Sequence, residues 1–111
     1  MPKRDAGLLI EDIEGAMARI ERYVADTDRE SFLKDEKTID AVVRNLEIIG
    51  EAVRRLPPEF TEKHSFVPWS QIAGLRNRIV HDYFGLDLEI IWQVLQVSLP
   101  EFKDQLDRID H

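Results

Sequence analysis

The segment Glu36–Leu56 reads EKTIDAVVRNLEIIGEAVRRL, and it decides the fold class because its apolar residues recur every three or four positions. A helix turns by about 100° per residue, so this spacing places them on one side of one long helix. They are Ile39, Val42, Val43, Leu46, Gly50 and Val53. Pro57 and Pro58 follow and end the helix. Glycine costs a helix about 1 kcal/mol relative to alanine, so Gly50 indicates close approach by a neighbouring helix.

The same periodicity extends outward from this segment and predicts three further main helices. Their predicted ranges are Asp5–Ala25, Pro68 to Tyr83 or Phe84, and Leu88–Ile109, with short helical turns at Ser31–Lys34 and Pro58–His64. Asp87 is the expected N-cap of the last helix, because its carboxylate can accept a hydrogen bond from a free amide in the first turn. Pro100 is expected to bend that helix or to end its regular first half.

Two of the predicted helices carry a second apolar side. Its residues are Ala41, Ile48 and Ala52 on the helix of the opening segment and Ile90, Val94 and Val97 on the last helix. This surplus predicts a homodimer held partly by the second sides, unless a short helix covers them. We therefore predict one all-α domain over residues 1–111, an antiparallel bundle of four main helices plus short helices that forms a homodimer.

Composition narrows the class of protein. The chain has 111 residues and no cysteine, which excludes disulfides and thiolate metal sites. No apolar run approaches the roughly 20 residues that span a bilayer, and the start Met-Pro-Lys-Arg-Asp lacks a signal-like apolar stretch. We therefore expect a cytoplasmic protein that does not associate with a membrane. The net charge of −7 argues against indiscriminate nucleic-acid binding but leaves room for a local basic cleft.

The candidate site is the string Arg76-Asn77-Arg78-Ile79-Val80-His81-Asp82-Tyr83. On the predicted third helix, Asn77 and His81 are one turn apart and stack on a stripe that points away from the core. An imidazole changes its charge near neutral pH, and a guanidinium can bind a phosphate through two donors. This set suits RNA cleavage without metal or cofactor, in which His81 acts as acid or base and Arg76 binds the phosphate. Asn77 would orient the imidazole or donate to the phosphate, and Arg78 would add positive charge.

Other interpretations of the same residues stay open. An Arg and a His on a helix are most often a solvated face, and a core-side Tyr83 is by default a packing residue. Glu47 and Glu51, four residues apart, are typical of a solvent-exposed face. The three histidines are scattered, so no metal site is predicted. Trp69 and Trp92 lie on apolar stripes and are expected in the core.

At the string Arg76 to Tyr83 the chain resembles the HEPN superfamily, and within it the HepT-like toxins. The family motif is Arg-x4-His-x-Tyr, matched here by Arg76, His81 and Tyr83, with Asn77 directly after the arginine. Further segments also resemble the family, and the likeness extends from about Arg4 to Leu106. They are Asn45–Ala52, Pro68–Asn77, Tyr83-Phe84 and Asp87–Trp92.

The resemblance implies a helical dimer whose two motifs meet in a cleft, and a metal-independent endoribonuclease acting as the toxin of a type VII-like toxin–antitoxin pair. It also implies a partner, a minimal nucleotidyltransferase antitoxin that neutralises the toxin by adding AMP to the motif tyrosine, here Tyr83. The alternative function is a non-catalytic binding module that partners and regulates such a nucleotidyltransferase. A third interpretation has Arg76 and His81 complete a hydrogen-bond network at the dimer interface.

Overall fold

The computed structural model describes residues 5–81 and 85–109, with the backbone alone at Val80 and His81. Across these residues the chain is mostly helical. The elements are α1 (Ala6–Val24), α2 (Arg29–Leu33), α3 (Glu36–Arg55), α4 (Pro58–Lys63), α5 (Trp69–Ala73), α6 (Leu75–Ile79), β1 (Val80–His81), β2 (Gly85–Leu86), α7 (Leu88–Gln93), a π-helical turn (Val94–Ser98) and α8 (Leu99–Asp107). The predicted all-α class is confirmed, with one small β-ladder that the sequence did not predict.

Four aspartates begin helices, as their positions before apolar periodic segments suggest. Asp5, Asp28, Asp35 and Asp87 each accept a hydrogen bond from a backbone N–H in the first turn of the helix that follows. Hydrogen bonds from Thr38, chiefly from its hydroxyl, lower the pKa of Asp35. A hydrogen bond from the Ser31 N–H lowers the pKa of Asp28. These caps satisfy amide groups that a helix start otherwise leaves without a partner, and the predicted cap at Asp87 is confirmed.

The two longest helices, α1 and α3, form an antiparallel pair. Leu9 and Asp12 near the start of α1 line the same cavity as Ala52 near the end of α3. Further along, Arg19 Nε donates to Asn45 Oδ1 at 2.7 Å, and Asn45 Nδ2 donates to a backbone oxygen of its own helix. Asn45 is the one buried polar residue among those described, and both ends of its amide have partners. A buried amide satisfied in this way fixes the register between the two helices.

The second apolar side of α3 is largely covered within one chain. Ala52 is 5% exposed, and α1 packs over the side that carries it and Ile48. On another side, α5 approaches Gly50 so closely that a β-carbon placed there would lie 3.5 Å from Ala73 O. The close approach predicted at Gly50 is therefore confirmed. A helix packed between α1 and α5 does not need a second subunit to explain its two apolar sides.

The C-terminal helix begins as α7 and changes to a π-helical turn at Val94–Ser98 before α8. In that turn the Leu99 N–H donates to Val94 O, five residues back. Pro100 has no N–H, so the helical ladder loses one bond there, and the irregular turn lies directly before it. The predicted end of the regular first half is confirmed. Val94 at the start of the turn is buried in the core, whereas Val97 is 49% exposed.

The prediction of one helix from Pro68 to Tyr83 or Phe84 is wrong in its second half. Gly74 separates α5 from α6, and α6 ends at Ile79, where the chain becomes extended. Trp69 at the start of α5 is buried as predicted, with its ring edge against Phe102 and its Nε1 donating to His64 O at 3.0 Å. Trp92 is half-buried and packs against Phe32.

In the described ranges, none of the helices combines the length and the apolar composition that crossing a bilayer requires.

Substitutions at Gly50 test the close contact between α3 and α5. Gly50→Ala places a methyl at ordinary contact distance from Ala73 O, so we expect an unchanged or higher free energy of unfolding, by up to about 1 kcal/mol. Gly50→Leu overfills the contact and is expected to lower it by about 1–3 kcal/mol. Urea denaturation measures both. A Gly50→Leu variant as stable as the wild type would contradict the packing described here.

Candidate active site

Helix α6 presents three polar side chains between two buried apolar ones. Leu75 and Ile79, at its two ends, are 1% and 0% exposed, whereas Arg76, Asn77 and Arg78 between them are exposed. A helix of five residues is too short to be stable alone, so its position depends on these two anchors. The anchors hold the polar residues of the motif at the surface while fixing the backbone that carries them.

The end of α6 is fixed by a contact from farther along the chain. The Asp87 N–H donates to Ile79 O at 2.7 Å, and β1 pairs with β2 in antiparallel register, Val80 opposite Leu86 and His81 opposite Gly85. His81 therefore belongs to an extended segment. The predicted stacking of Asn77 and His81 one helical turn apart is wrong, because the helix that would carry it ends two residues before His81.

Tyr83, the predicted acceptor of AMP, lies outside the described residues, between the two short strands. Gly85 opens β2 with a φ of +76°, a backbone conformation that residues with a β-carbon rarely adopt. This glycine is thus suited to begin the return strand that pairs with His81.

Arg76 faces a carboxylate on α3 across an open cleft. Its Nε lies 4.0 Å from Glu47 Oε1, and the two side chains are 56% and 38% exposed. At that distance the two groups form an ion pair but are too far apart for a hydrogen bond. No hydrogen bond between Arg76 and another described side chain competes for the donors of its guanidinium. The exposed guanidinium of Arg76 is therefore accessible to an anionic ligand.

We call this opening the α3–α6 cleft. It has a volume of about 190 Å³ and is lined by Leu46, Glu47, Gly50, Glu51, Arg54, Ala73 and Arg76. The cleft brings Arg76 of the predicted site together with residues from the segment Asn45–Ala52, the second stretch on which the family resemblance rests.

Arg54 is a candidate residue that the sequence prediction did not single out. Its Nη2 donates to Ala73 O at 2.6 Å, and its Nη1 lies 3.9 Å from Glu51 Oε2. The pattern that could have revealed it is the spacing of Glu47, Gly50, Glu51 and Arg54. Residues separated by three, four and seven positions lie on one helix face, and Gly50 marks that face as the one that a neighbour approaches.

Among the described residues, no three His, Cys, Asp or Glu side chains are grouped closely enough to hold a metal ion. The fold and the site together define an all-α protein that exposes Arg76 and Asn77 beside a cleft lined by two arginines and two glutamates.

Comparison with known proteins identifies the family. The profile described as "Ribonuclease HepT-like" matches residues 13–109. "Putative RNase MJ0127" of Methanocaldococcus jannaschii is 41% identical over 98% of this chain and 90% of its own length. "Putative RNase TTE0752" of Caldanaerobacter subterraneus subsp. tengcongensis is 51% identical over 72% of this chain and 71% of its own. "Probable ribonuclease HepT" of Thermococcus cleftensis is 36% identical over 96% of this chain and 97% of its own length.

No solved structure gives a significant match. The chain belongs to the HepT-like ribonuclease family, and the resemblance drawn from the sequence is confirmed.

Gly85 provides a test of the short ladder that carries His81. Gly85→Ala forces a β-carbon into the left-handed region and is expected to lower the free energy of unfolding by about 1–2 kcal/mol. Gly15→Ala in the middle of α1 is the matched control, because a β-carbon there meets only a flexible arginine at 3.6 Å. The control is expected to stabilise by up to about 1 kcal/mol. Equal stabilisation of both variants would show that the structure does not need the positive φ.

Proposed function

We propose that this protein is the toxin of a type VII-like toxin–antitoxin pair and acts as a metal-independent endoribonuclease. The observation that carries the proposal is the exposed Arg76-Asn77 pair, fixed beside the α3–α6 cleft in a member of the HepT-like family. The names of the three relatives above describe them as RNases or as a ribonuclease. The proposal extends that activity to this chain and assigns parts to its residues.

In the proposed reaction the ribose 2′-oxygen attacks the neighbouring phosphorus and the bond to the 5′-oxygen breaks. A base removes the 2′-hydroxyl proton, and an acid protonates the departing 5′-oxygen, so the products carry a 2′,3′-cyclic phosphate and a 5′-hydroxyl. We assign the proton transfers to His81, whose unperturbed pKa of about 6.5 suits both directions. Arg76 stabilises the charge that develops on the phosphate, and Asn77 orients the substrate or the imidazole.

We further propose that the active form is a homodimer, in which a second His81 supplies the complementary acid or base. One His81 per chain leaves one of the two proton transfers without a histidine, and a two-fold axis beside the cleft would supply the other. Partly exposed apolar side chains, including Ile90 and Val97, support an interface on the last helix. The two-sided α3 gives less support, because α1 and α5 cover most of it.

Regulation is proposed to act through Tyr83. In this proposal a minimal nucleotidyltransferase antitoxin transfers AMP from ATP to the phenol oxygen of Tyr83, and pyrophosphate leaves. An AMP group two residues from His81 adds negative charge and bulk, which would repel RNA phosphates and obstruct the cleft.

The decisive test is cleavage of total RNA by the purified protein in excess EDTA. We expect fragments with 2′,3′-cyclic phosphate ends from the wild type, and loss of cleavage by at least about 100-fold in His81→Ala and Arg76→Ala. His64→Gln is the matched control, because it removes a histidine far from the motif in sequence. Size-exclusion chromatography with light scattering should show the same dimer for all variants. A wild type that binds its partner but never cleaves RNA would favour the non-catalytic binding module.

The regulatory step has its own test. After incubation with the antitoxin and ATP, intact mass should show one added AMP per wild-type chain and cleavage should stop. Tyr83→Phe keeps the aromatic ring but has no acceptor oxygen, so it should cleave RNA and escape modification. Modification of Tyr83→Phe at another residue, with the same loss of cleavage, would contradict the assignment.

A further inference from the structure

We infer that Arg54 is a second phosphate-binding residue, which holds a backbone phosphate of the RNA together with Arg76 in the α3–α6 cleft. The inference rests on the proposed function and goes beyond it, since it assigns a substrate contact outside the family motif. Arg54 lies on α3, 22 positions before Arg76, and the fold brings both guanidiniums to the walls of one opening.

The first argument is that Arg54 is already oriented. Its Nη2 donates to Ala73 O at 2.6 Å, at the end of α5 and three residues before Arg76, the start of the exposed motif. This bond fixes the guanidinium plane, so less side-chain entropy is lost when the remaining N–H groups bind an anion. The side chain is 49% exposed, which leaves it accessible from solvent.

The second argument is that both arginines have only weak carboxylate partners. Arg54 Nη1 is 3.9 Å from Glu51, and Arg76 Nε is 4.0 Å from Glu47, both beyond hydrogen-bonding range. Exposed ion pairs of this kind contribute little stability. A phosphate can instead accept short charge-assisted hydrogen bonds from each guanidinium. Replacement of the two weak pairs by one phosphate is therefore favourable for both cations.

The third argument concerns shape and charge. Gly50 forms part of the cleft wall without a side chain, which leaves about 190 Å³ of open volume between the two arginines. The two carboxylates balance the two guanidiniums, so the empty cleft has no net charge. A phosphate entering it meets the oriented guanidinium of Arg54 and the exposed guanidinium of Arg76, while the carboxylates can rotate toward solvent because both are more than a third exposed.

The test measures binding of a fluorescent single-stranded RNA oligonucleotide by anisotropy, in a His81→Ala background that prevents cleavage, over a range of salt concentrations. We expect Arg54→Met to weaken binding about tenfold. We also expect it to reduce the slope of log affinity against log salt by about 0.7, the value for one lost phosphate contact on a single strand. Arg54→Lys keeps the charge and should retain the slope.

Arg55→Met is the matched control, since Arg55 is the next residue on α3 but lines the cavity toward α1. It should change the slope by less than Arg54→Met does. Because Arg54→Met also removes the hydrogen bond to Ala73 O, a second variant that keeps this bond is needed. Glu51→Gln removes the counter-charge of Arg54 and keeps that contact, so binding should tighten about two- to threefold, whereas Glu62→Gln on α4 should have a smaller effect.

The outcomes separate the two proposals. An unchanged slope for Arg54→Met, with normal RNA binding by the parent protein, overturns the assignment of Arg54 and leaves the proposed ribonuclease intact. Equal effects of Arg54→Met and Arg55→Met also overturn it, because they would indicate a general charge effect. No binding of the oligonucleotide by the parent protein, together with no cleavage by the wild type, overturns both proposals.

Discussion

The close contact between α3 and the end of α5 is the constraint on which the site depends. The end of α5 packs beside Gly50, and Arg54 binds the carbonyl of Ala73 at the point of contact. Because α5 and α6 have five residues each, neither can be stable without tertiary packing. The position of Arg76 is thus a consequence of the face that α3 presents, and α3 is in turn fixed by its long antiparallel pairing with α1.

The charge distribution reconciles an acidic protein with an RNA substrate. A net charge of −7 disfavours binding to arbitrary phosphates. In the α3–α6 cleft, two guanidiniums lie beside two exposed carboxylates, and that of Arg54 is held by its hydrogen bond to Ala73 O. Long-range repulsion and short-range hydrogen bonding then act in opposite directions. In the proposed function, an RNA that presents a phosphate in the right geometry gains the hydrogen bonds, whereas other RNAs experience only the repulsion.

Much of the fold could be predicted from the sequence because it rests on local signals. The N-cap at Asp87, the end of α3 before Pro57 and the neighbouring helix at Gly50 follow from residue chemistry and spacing alone. The π-helical turn before Pro100 was predicted only as an irregularity. Val94 is buried three residues after the buried Ile91, so its assignment to a second apolar side outside the core was wrong although the regular helical period places it beside that core residue.

The end of α6 could not be predicted in the same way. Ile79 and Val80 are β-branched and are compatible with either a helix or a strand. No glycine or proline marks the change. What ends the helix is the Asp87 N–H, which binds Ile79 O after the chain has turned through Gly85. The arrangement of Arg76 was less predictable still, because its partner Glu47 lies 29 positions away and only the packing of α3 brings the two together.

The two residues that the proposal makes catalytic are fixed by different parts of the molecule. Arg76 depends on α3 through Glu47 and the contact at Ala73. The backbone of His81 depends on α7, because Asp87 both caps that helix and binds the carbonyl of Ile79. The buried side chain of Ile79 connects the two. Proton transfer and phosphate binding must occur on one phosphodiester, so a shift of either support displaces one group relative to the other. The geometry of the site is therefore set by helix packing on both sides of α6, and the motif alone does not determine it.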